Sequence, residues 1–332
     1  MKVAVQLVVW NGEKYLANLF TSLAAQTFTN WELFVIDNSS IDHSATIIQT
    51  ETKKFTQPVH TFFKNTNTGF ATPHQDLFTQ SVTPYVFVLN QDVVLEPDTL
   101  KKMVQFADEN PRAASISPLL MRLECGQKTN IVDSLGLKIT RSRKVLELGA
   151  GQSWSEKNTF IGQTTQVFGV SAVAVLYRRS AATKAGGLFN PDFFAYKEDI
   201  DLAWRLQLVG YEAVVLNDVI VYHDRSGRPN NSFGVVTELI NKRKQSALIR
   251  YYSYKNHLTM LKTCEQWQNT LLDLPWILWY EVSKLIYFLL FDWYTFGGIV
   301  ELWRHWKQLQ LRRQQVQKAA TVSWRQMRKW WK

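Results

Sequence analysis

Cysteine is scarce in this chain of 332 residues, with only Cys125 and Cys264 present. The two lie far apart and match no zinc-binding or redox spacing, which argues against a disulfide scaffold and fits a reducing compartment. Long apolar runs are also missing. The most apolar stretch, residues 276–300, is broken by Glu281, Lys284 and Asp292. No uninterrupted span approaches the roughly 20 residues that a transmembrane helix needs. The opening residues Met1–Trp10 hold one lysine and a short apolar run, then Asn11-Gly12-Glu13-Lys14 follow without a small-residue cleavage site. That opening reads as a first strand rather than a targeting segment. No Gly-X-Gly-X-X-Gly or phosphate-cradling glycine loop follows it, which argues against a dinucleotide-dependent oxidoreductase and a P-loop enzyme. Internal repeats and low-complexity tracts are absent as well.

What is present is the composition of a globular protein, 46% hydrophobic and 20% charged, with its charge unevenly placed. Residues 301–332 carry nine Lys or Arg against one acid, so this segment supplies +8 of the formal net +10. Nine of the 13 tryptophans lie from Trp267 onward. A basic, Trp-rich segment suits an anionic membrane surface. Charge alone also allows nucleic acid, but no recognition motif supports it, and nucleic-acid binding is not expected. The alternative is a helical subdomain that packs its tryptophans against the rest of the chain.

Along residues 1–120, strand and helix signals alternate. Val3–Val9 is a β-rich run, and Leu16, Leu19, Phe20 and Leu23 recur at helical spacing. Further strands are predicted at Leu33–Ile36, Val59–Phe63 and Tyr85–Leu89, a helix over Leu100, Met103, Val104 and Ala107, and a strand at Ala114–Ser117. This alternation predicts an α/β fold with a doubly wound, mostly parallel sheet, in which ligands sit beyond the carboxyl ends of the strands. Residues 121–165 are polar and irregular and receive no assignment. A strand is predicted over Val167–Tyr177 and a helix from Asp199 to a stop at Gly210. The remainder reads as helical. The expected division is 1–250 for the catalytic unit, with halves of about 1–118 and 119–250, and 251–332 for the helical region.

Polar residues cluster at the strand ends. Asp92, in Asn90-Gln91-Asp92, can hold a hard divalent cation or cap a solvated turn. Asp37-Asn38-Ser39-Ser40 offers a carboxylate to a nucleoside or forms a turn into a helix. Around Asn67 and Gly69, the backbone can approach a ligand closely or form a plain loop. Glu198-Asp199-Ile200-Asp201 can supply a general base, although acids at a helix start are also favoured by capping and by the helix dipole. His223 ends a strand, as a metal ligand or as a structural histidine.

Taken in order, these segments resemble the inverting family 2 glycosyltransferases of the GT-A fold, in particular the bacterial rhamnosyltransferase-like branch. The resemblance runs from Val8-Val9-Trp10-Asn11-Gly12 through Asp37-Asn38-Ser39-Ser40, Asn67-Thr68-Gly69-Phe70-Ala71 and Leu89-Asn90-Gln91-Asp92. Gly186-Gly187-Leu188-Phe189-Asn190, Phe194 to Arg205, Gly210-Tyr211 and Val221-Tyr222-His223 extend it to about residue 260.

The resemblance implies a set of roles. Val9, Asn11, Asp37, Asn67, Gly69, Asn90 and Gln91 would line a nucleoside diphosphate sugar, with Asp37 on a uracil or thymine base. Asp92, at the last position of an Asp-X-Asp motif whose first Asp is here Asn90, would bind Mg2+ or Mn2+ with help from His223. Asp199 would be the catalytic base with Glu198 beside it. Gly169, Val170, Ser171, Tyr196, Trp204 and Arg205 would meet the acceptor, a lipid-linked or glycan hydroxyl. Gln91 replaces a usual proline, which predicts a looser metal turn. The implied setting is the inner face of the cell membrane, bound peripherally through the C-terminal helices. A sugar-nucleotide-binding nucleotidyltransferase and an inactive membrane-associated scaffold of the same fold are the alternatives.

Overall fold

A computed structural model describes residues 1–154, 162–224 and 246–331. Strand β1 (Val3–Val9) is a Val/Ala/Leu run interrupted only by Gln6, and nearly all of it is buried, as befits a strand covered on both faces. It pairs in parallel with β2 (Trp31–Asp37) and β4 (Tyr85–Leu89), and β2 pairs in parallel with β3 (Val59–Phe63). The crossovers are α1 (Glu13–Ala24), α2 (Ser44–Glu51) and α3 (Ala71–Gln80). Leu16, Leu19, Phe20 and Leu23 form the buried stripe of α1, as the spacing predicts.

Beyond β4 come β5 (Val93–Leu95), α4 (Thr99–Glu109) and the long β6 (Ala113–Glu124). The stretch left unassigned from sequence begins with a hairpin from β6 to β7 (Gln127–Ser134). Its turn residues Cys125 and Gly126 both have positive φ, the conformation that lets a two-residue turn match strand twist. A small hairpin of β8 (Leu137–Ile139) and β9 (Val145–Glu147) follows.

The single strand predicted over 167–177 is two strands, β10 (Thr164–Val167) and β11 (Ala174–Arg178), separated by a turn. Val167, Phe168, Val170 and Ala172–Tyr177 are all buried, so hydrophobicity is high on both sides of the turn and does not mark it. Then come α5 (Arg179–Lys184), α6 (Glu198–Leu208) and β12 (Glu212–His223). The sheet order is β10-β12-β6-β11-β4-β1-β2-β3, with β5 on β12 and β7 on β6. Alternate residues of β4 feed two cores, Phe87 and Leu89 into one and Val86 and Val88 into the other.

The C-terminal region comprises α7 (Ala247–Cys264), α8 (Trp267–Phe291), α9 (Trp293–Arg304), α10 (Trp306–Ala319) and α11 (Trp324–Met327). The sequence reading that no span approaches membrane length is corrected here. Helix α8 runs unbroken for 25 residues through Pro275, Glu281 and Lys284, and is long and apolar enough to cross a membrane by length and composition. Its charges do not interrupt it because they face the protein: Glu281 pairs with His257 at 2.8 Å, and Lys284 lies 5.2 Å over the Tyr254 ring of α7. Asp273 is fully buried, paired with Arg141 at 2.9 Å, Arg143 at 3.0 Å and Arg328 at 3.3 Å.

Apart from the half-buried Trp324, the tryptophans of this region divide into two groups. Trp330 and Trp331 pack on Phe168 in a third core that also holds Trp204, Ile200, Met260, Val316 and Met327. Trp267, Trp276, Trp279, Trp293, Trp303 and Trp306 are exposed, Trp279 by 79% and Trp303 by 77%. The packed subdomain and the open aromatic face, weighed against each other in the sequence, are both present.

Candidate active site

The loops at the carboxyl ends of β1, β2, β3 and β4 are fastened to one another. Asn38 is the knot: its amide donates to Asn67 Oδ1 at 3.0 Å and to the Gly69 carbonyl at 2.7 Å, and its Oδ1 accepts from the Thr68 N–H at 3.1 Å. Asn11, at φ 49°, donates its N–H to Ser40 Oγ and accepts from the Ile41 N–H. Val9 buries its side chain in the core and accepts from the Asn38 N–H at 2.8 Å through its carbonyl. Asp37 is buried too. Its Oδ2 accepts from the Ser40 N–H at 3.2 Å, while its buried Oδ1 has no hydrogen-bond partner among the described residues. A buried carboxylate oxygen left this way needs a donor from somewhere.

Gln91 corrects a second expectation. Its Oε1 accepts from the Trp10 N–H at 2.9 Å and its Nε2 donates to the Trp10 carbonyl at 3.1 Å. The turn carrying Asp92 is therefore fastened to the β1 loop, not loosened by the missing proline. Asn90 donates its N–H to the Val173 carbonyl at 2.8 Å.

Topology places His223 beside Asp92. Strand β5 starts immediately after Asp92 and runs antiparallel to the end of β12, with Val93 opposite His223. The imidazole Nε2 lies 3.4 Å from Asp92 Oδ1, and Nδ1 lies 2.8 Å from Oδ2 of Asp133, a residue of β7. Burial alone would lower the basicity of this ring, but its hydrogen bonds to Asp133 and Asp92 outweigh that and push its pKa up to about 9. Asp133 was missed from sequence because it lies in the unassigned stretch and belongs to none of the recognisable segments.

The group suits a divalent cation. A carboxylate on Nδ1 directs the opposite ring nitrogen toward a metal, and Asp92 supplies a hard oxygen next to it. Metal binding there would displace the Nε2 proton. No cluster of three or more His, Cys, Asp or Glu that could hold an ion is present among the described residues.

The segment leading to Glu198-Asp199 meets the loop before α3. The Phe194 carbonyl accepts from the Phe70 N–H at 2.6 Å and the Ala71 N–H at 3.4 Å, thereby capping α3. Tyr196 and Lys197 then sit consecutively in the left-handed region, at φ 72° and 74°. Such residues are strained by on the order of 1–3 kcal/mol each and collect at functional sites. Glu198 and Asp199 open α6 immediately after this bend. Burial, together with the nearby Glu147 charge, raises the Asp199 carboxyl above its ordinary value against the opposing pull of Lys197 and of the Ile200 and Ala172 N–H groups. The Ala172 N–H that acts on Asp199 belongs to the Ser171–Val173 turn, whose Val173 carbonyl accepts from the Asn90 N–H at 2.8 Å.

Four of the expected acceptor residues point inward instead. Trp204 lies in the third core against Trp331. Arg205, fully buried, pairs with Asp201 at 2.8 Å and donates to the carbonyls of Ala185, Gly187 and Leu188, holding the Gly-Gly turn. A Cβ on Gly169 would come within 2.4 Å of Ala203 Cβ, so that glycine permits close packing against α6. Val170 belongs to the second core. A helix that presents an acidic pair at its start must bury its next turns, and motif matching does not separate the two. Ser171 and Tyr196 remain partly exposed at the bend.

The profile of "Glycosyl transferase family 2" matches residues 5–183, more than half of the chain. The chain belongs to glycosyl transferase family 2. Among curated relatives, the Staphylococcus aureus poly(ribitol-phosphate) β-N-acetylglucosaminyltransferase TarS is 30% identical over 112 residues, 33% of this family 2 chain and 19% of TarS. The Bacillus subtilis putative teichuronic acid biosynthesis glycosyltransferase TuaG is 25% identical over 115 residues, 35% of this chain and 45% of TuaG. The matched segments therefore span less than half the length of either relative. Among solved structures, GalNAc-T7 with UDP, GalNAc and Mn2+ aligns at TM-score 0.60 and 12% identity over 79% of this chain and 48% of that one. The Pyrobaculum calidifontis mannosyltransferase with GDP-Man and Mn2+ aligns at 0.53 and 13% identity, covering 96% and 85%. S. aureus TarS 1–349 with UDP aligns at 0.52 and 17% identity, covering 92% of each chain. At these identities the likeness is one of fold, and the fold is GT-A, as the sequence resemblance implies.

Proposed function

We propose that this protein is an inverting, metal-dependent hexosyltransferase that moves a sugar from a UDP- or dTDP-linked donor to a hydroxyl of a lipid-linked or polysaccharide acceptor. The observation that carries this reading is the Phe194 carbonyl, which accepts from the Phe70 N–H at 2.6 Å and so joins the segment leading to Asp199 to the Asn67–Gly69 loop. The candidate base and the candidate nucleotide loop are thereby held together.

In the proposed reaction, Asp37 receives a donor N–H of the nucleoside base on its unpartnered oxygen, and the Asn38–Asn67–Gly69 knot shapes the nucleotide wall. Asp92 and His223 would hold Mg2+ or Mn2+, which supplies neutralising charge for the departing diphosphate. Asp199 takes the proton of the acceptor hydroxyl as that oxygen attacks the sugar carbon from the side opposite the diphosphate. Glu198 orients this carboxylate, and Ser171 and Tyr196 border the acceptor. The names of TarS and TuaG concern poly(ribitol-phosphate) and teichuronic acid, which supports a polymeric acceptor. Rhamnose follows from the sequence branch, and the name of TarS adds N-acetylglucosamine to the donors to be tried.

The same reading places the protein on the cytoplasmic face of the membrane. Helices α8 and α9 turn Trp279, Trp293, Trp303, Leu290 and Phe291 outward, while Asp273 and Glu281 bind α8 to the rest of the protein. A helix held along its length in this way lies in the interface rather than crossing it.

The test is thermal stabilisation by a panel of nucleotide sugars, with Mn2+ and with chelator. A donor at a hundredfold excess over its Kd stabilises the folded state by about 2.7 kcal/mol. A metal-dependent shift with a uridine or thymidine diphosphate sugar is expected; no shift with any donor would overturn the reading in favour of an inactive scaffold.

A further inference from the structure

Helix α7 lies beyond the family match at 5–183 and was read from sequence only as the start of a helical region. Three of its residues, Tyr252, Lys255 and Asn256, share one face at i, i+3 and i+4 spacing. All three grip the segment leading to Asp199. The Tyr252 ring stacks on Phe194, with centroids 4.9 Å apart and planes 17° from parallel. Lys255 Nζ donates to the Asp192 carbonyl at 3.0 Å. Asn256 is fully buried, and its single Nδ2 donates to two successive carbonyls, Ala195 at 3.0 Å and Tyr196 at 2.7 Å.

We propose that Asn256 is a positioning residue for catalysis, holding the left-handed Tyr196–Lys197 bend so that α6 begins with the Asp199 carboxylate aimed at the acceptor. The inference rests on Asp199 being the general base. Two consecutive non-glycine residues in the left-handed region return to right-handed backbone unless something outside the segment fixes them. An amide nitrogen with two hydrogens is suited to that task because it satisfies both carbonyls from one fixed point. Rotation at Lys197 would swing Glu198 and Asp199 together, and small displacements of a reacting group lower rates steeply.

The experiment compares Asn256→Asp, which keeps the side chain's size but presents acceptors to the two carbonyls, with Thr263→Val on the same helix. Thr263 is fully buried, and its hydroxyl donates to the Thr259 and Met260 carbonyls and contacts Cys264 Sγ at 3.6 Å, all on its own helix. Donor Kd, acceptor KM, kcat, the pH–rate profile and Tm are measured for both. For Asn256→Asp, kcat is expected to fall about 10- to 100-fold, the acid limb of the profile to move, and donor Kd to stay within about twofold. Thr263→Val is expected to lower Tm while leaving kcat and the acid limb in place. If Asn256→Asp loses no more kcat than Thr263→Val and keeps the acid limb, the positioning role is overturned. Should Asn256→Asp not fold, Asn256→Ser, with one donor for two carbonyls, is held to the same criterion. Asp199→Asn separates the two readings: if it retains transfer, the base assignment fails whatever Asn256 does.

Discussion

A methyl group on Gly69 would lie 2.0 Å from the carbonyl oxygen of Phe194, at a backbone angle of φ +83°. The Asn67–Gly69 loop and the segment leading to Asp199 therefore touch backbone to backbone, with no room for a side chain between them. Gly69→Ala is expected to destabilise the protein by about 2–4 kcal/mol, adding overpacking to left-handed strain. Urea unfolding measures this, and a loss below about 0.5 kcal/mol would mean that the two segments separate readily.

Gln91 clamps Trp10 through both its N–H and its carbonyl. Gln91→Ala should raise the donor Kd in the presence of Mn2+ about 5- to 50-fold, because each lost bond is worth about 0.5–1.5 kcal/mol. Calorimetric titration with the donor identified by thermal shift reads this directly, and an unchanged Kd would show that the Asp92 turn holds its shape without the clamp.

The Asp133–His223–Asp92 row makes a distinct claim about metal. Asp133→Asn is expected to weaken Mn2+ affinity about 10- to 100-fold, as loss of a carboxylate behind a ligating histidine does. Asp92→Ala should abolish metal-supported donor binding. Mn2+ titration followed by electron paramagnetic resonance tests both, and full affinity in both variants would move the metal elsewhere.

Asp199 gives a prediction with two opposed signs. Its carboxyl is raised in the folded state, chiefly by burial. A group of this kind favours folding while protonated, and that contribution is lost as pH rises through the folded-state value. Transfer, by contrast, needs the ionised form. Asp199→Asn should lose about 10²- to 10⁴-fold in kcat yet keep donor affinity and match or exceed the wild-type Tm at pH 7. The wild-type rate should fall on acidification through a value above that of an ordinary aspartate. Lost donor binding in the variant would count against the assignment.

For the outer aromatic face, Trp279→Glu with Trp303→Glu should reduce cosedimentation with anionic vesicles about tenfold or more at unchanged Tm, since both side chains are largely exposed. Trp331→Ala is the contrasting case. It is buried in the third core and should destabilise by about 3–5 kcal/mol. If the double variant binds vesicles like the wild type, the face serves another purpose.

The parallel half of the sheet was legible because Val3–Val9, Leu33–Ile36 and Tyr85–Leu89 are apolar runs that end in polar residues. Those ends mark the loops that carry Asn11, Asp37 and Asp92. Residues whose roles depend on long-range partners were not legible. Asp133 acquires its role only when β7 folds against β6 and β12. Asn256 acts through carbonyls sixty residues earlier in the chain. Trp204 and Arg205 were misread because a motif records which residues occur together, not which side of a helix they occupy. Glu281 and Lys284 were read as interruptions of an apolar run, although a helix can turn them inward and keep its outer face intact.

The third core has a consequence for the order in which the protein matures. Trp204 and Phe168 pack against Trp331, so the inner side of α6 is not sealed until Trp331 has been synthesised and has folded back. Strands β1 to β4 are complete long before that. A chain still emerging from the ribosome can therefore form this parallel half of the sheet while the helix carrying Asp199 lacks its backing. The packing behind Asp199 would then be completed only after the aromatic face of α8 and α9 already exists.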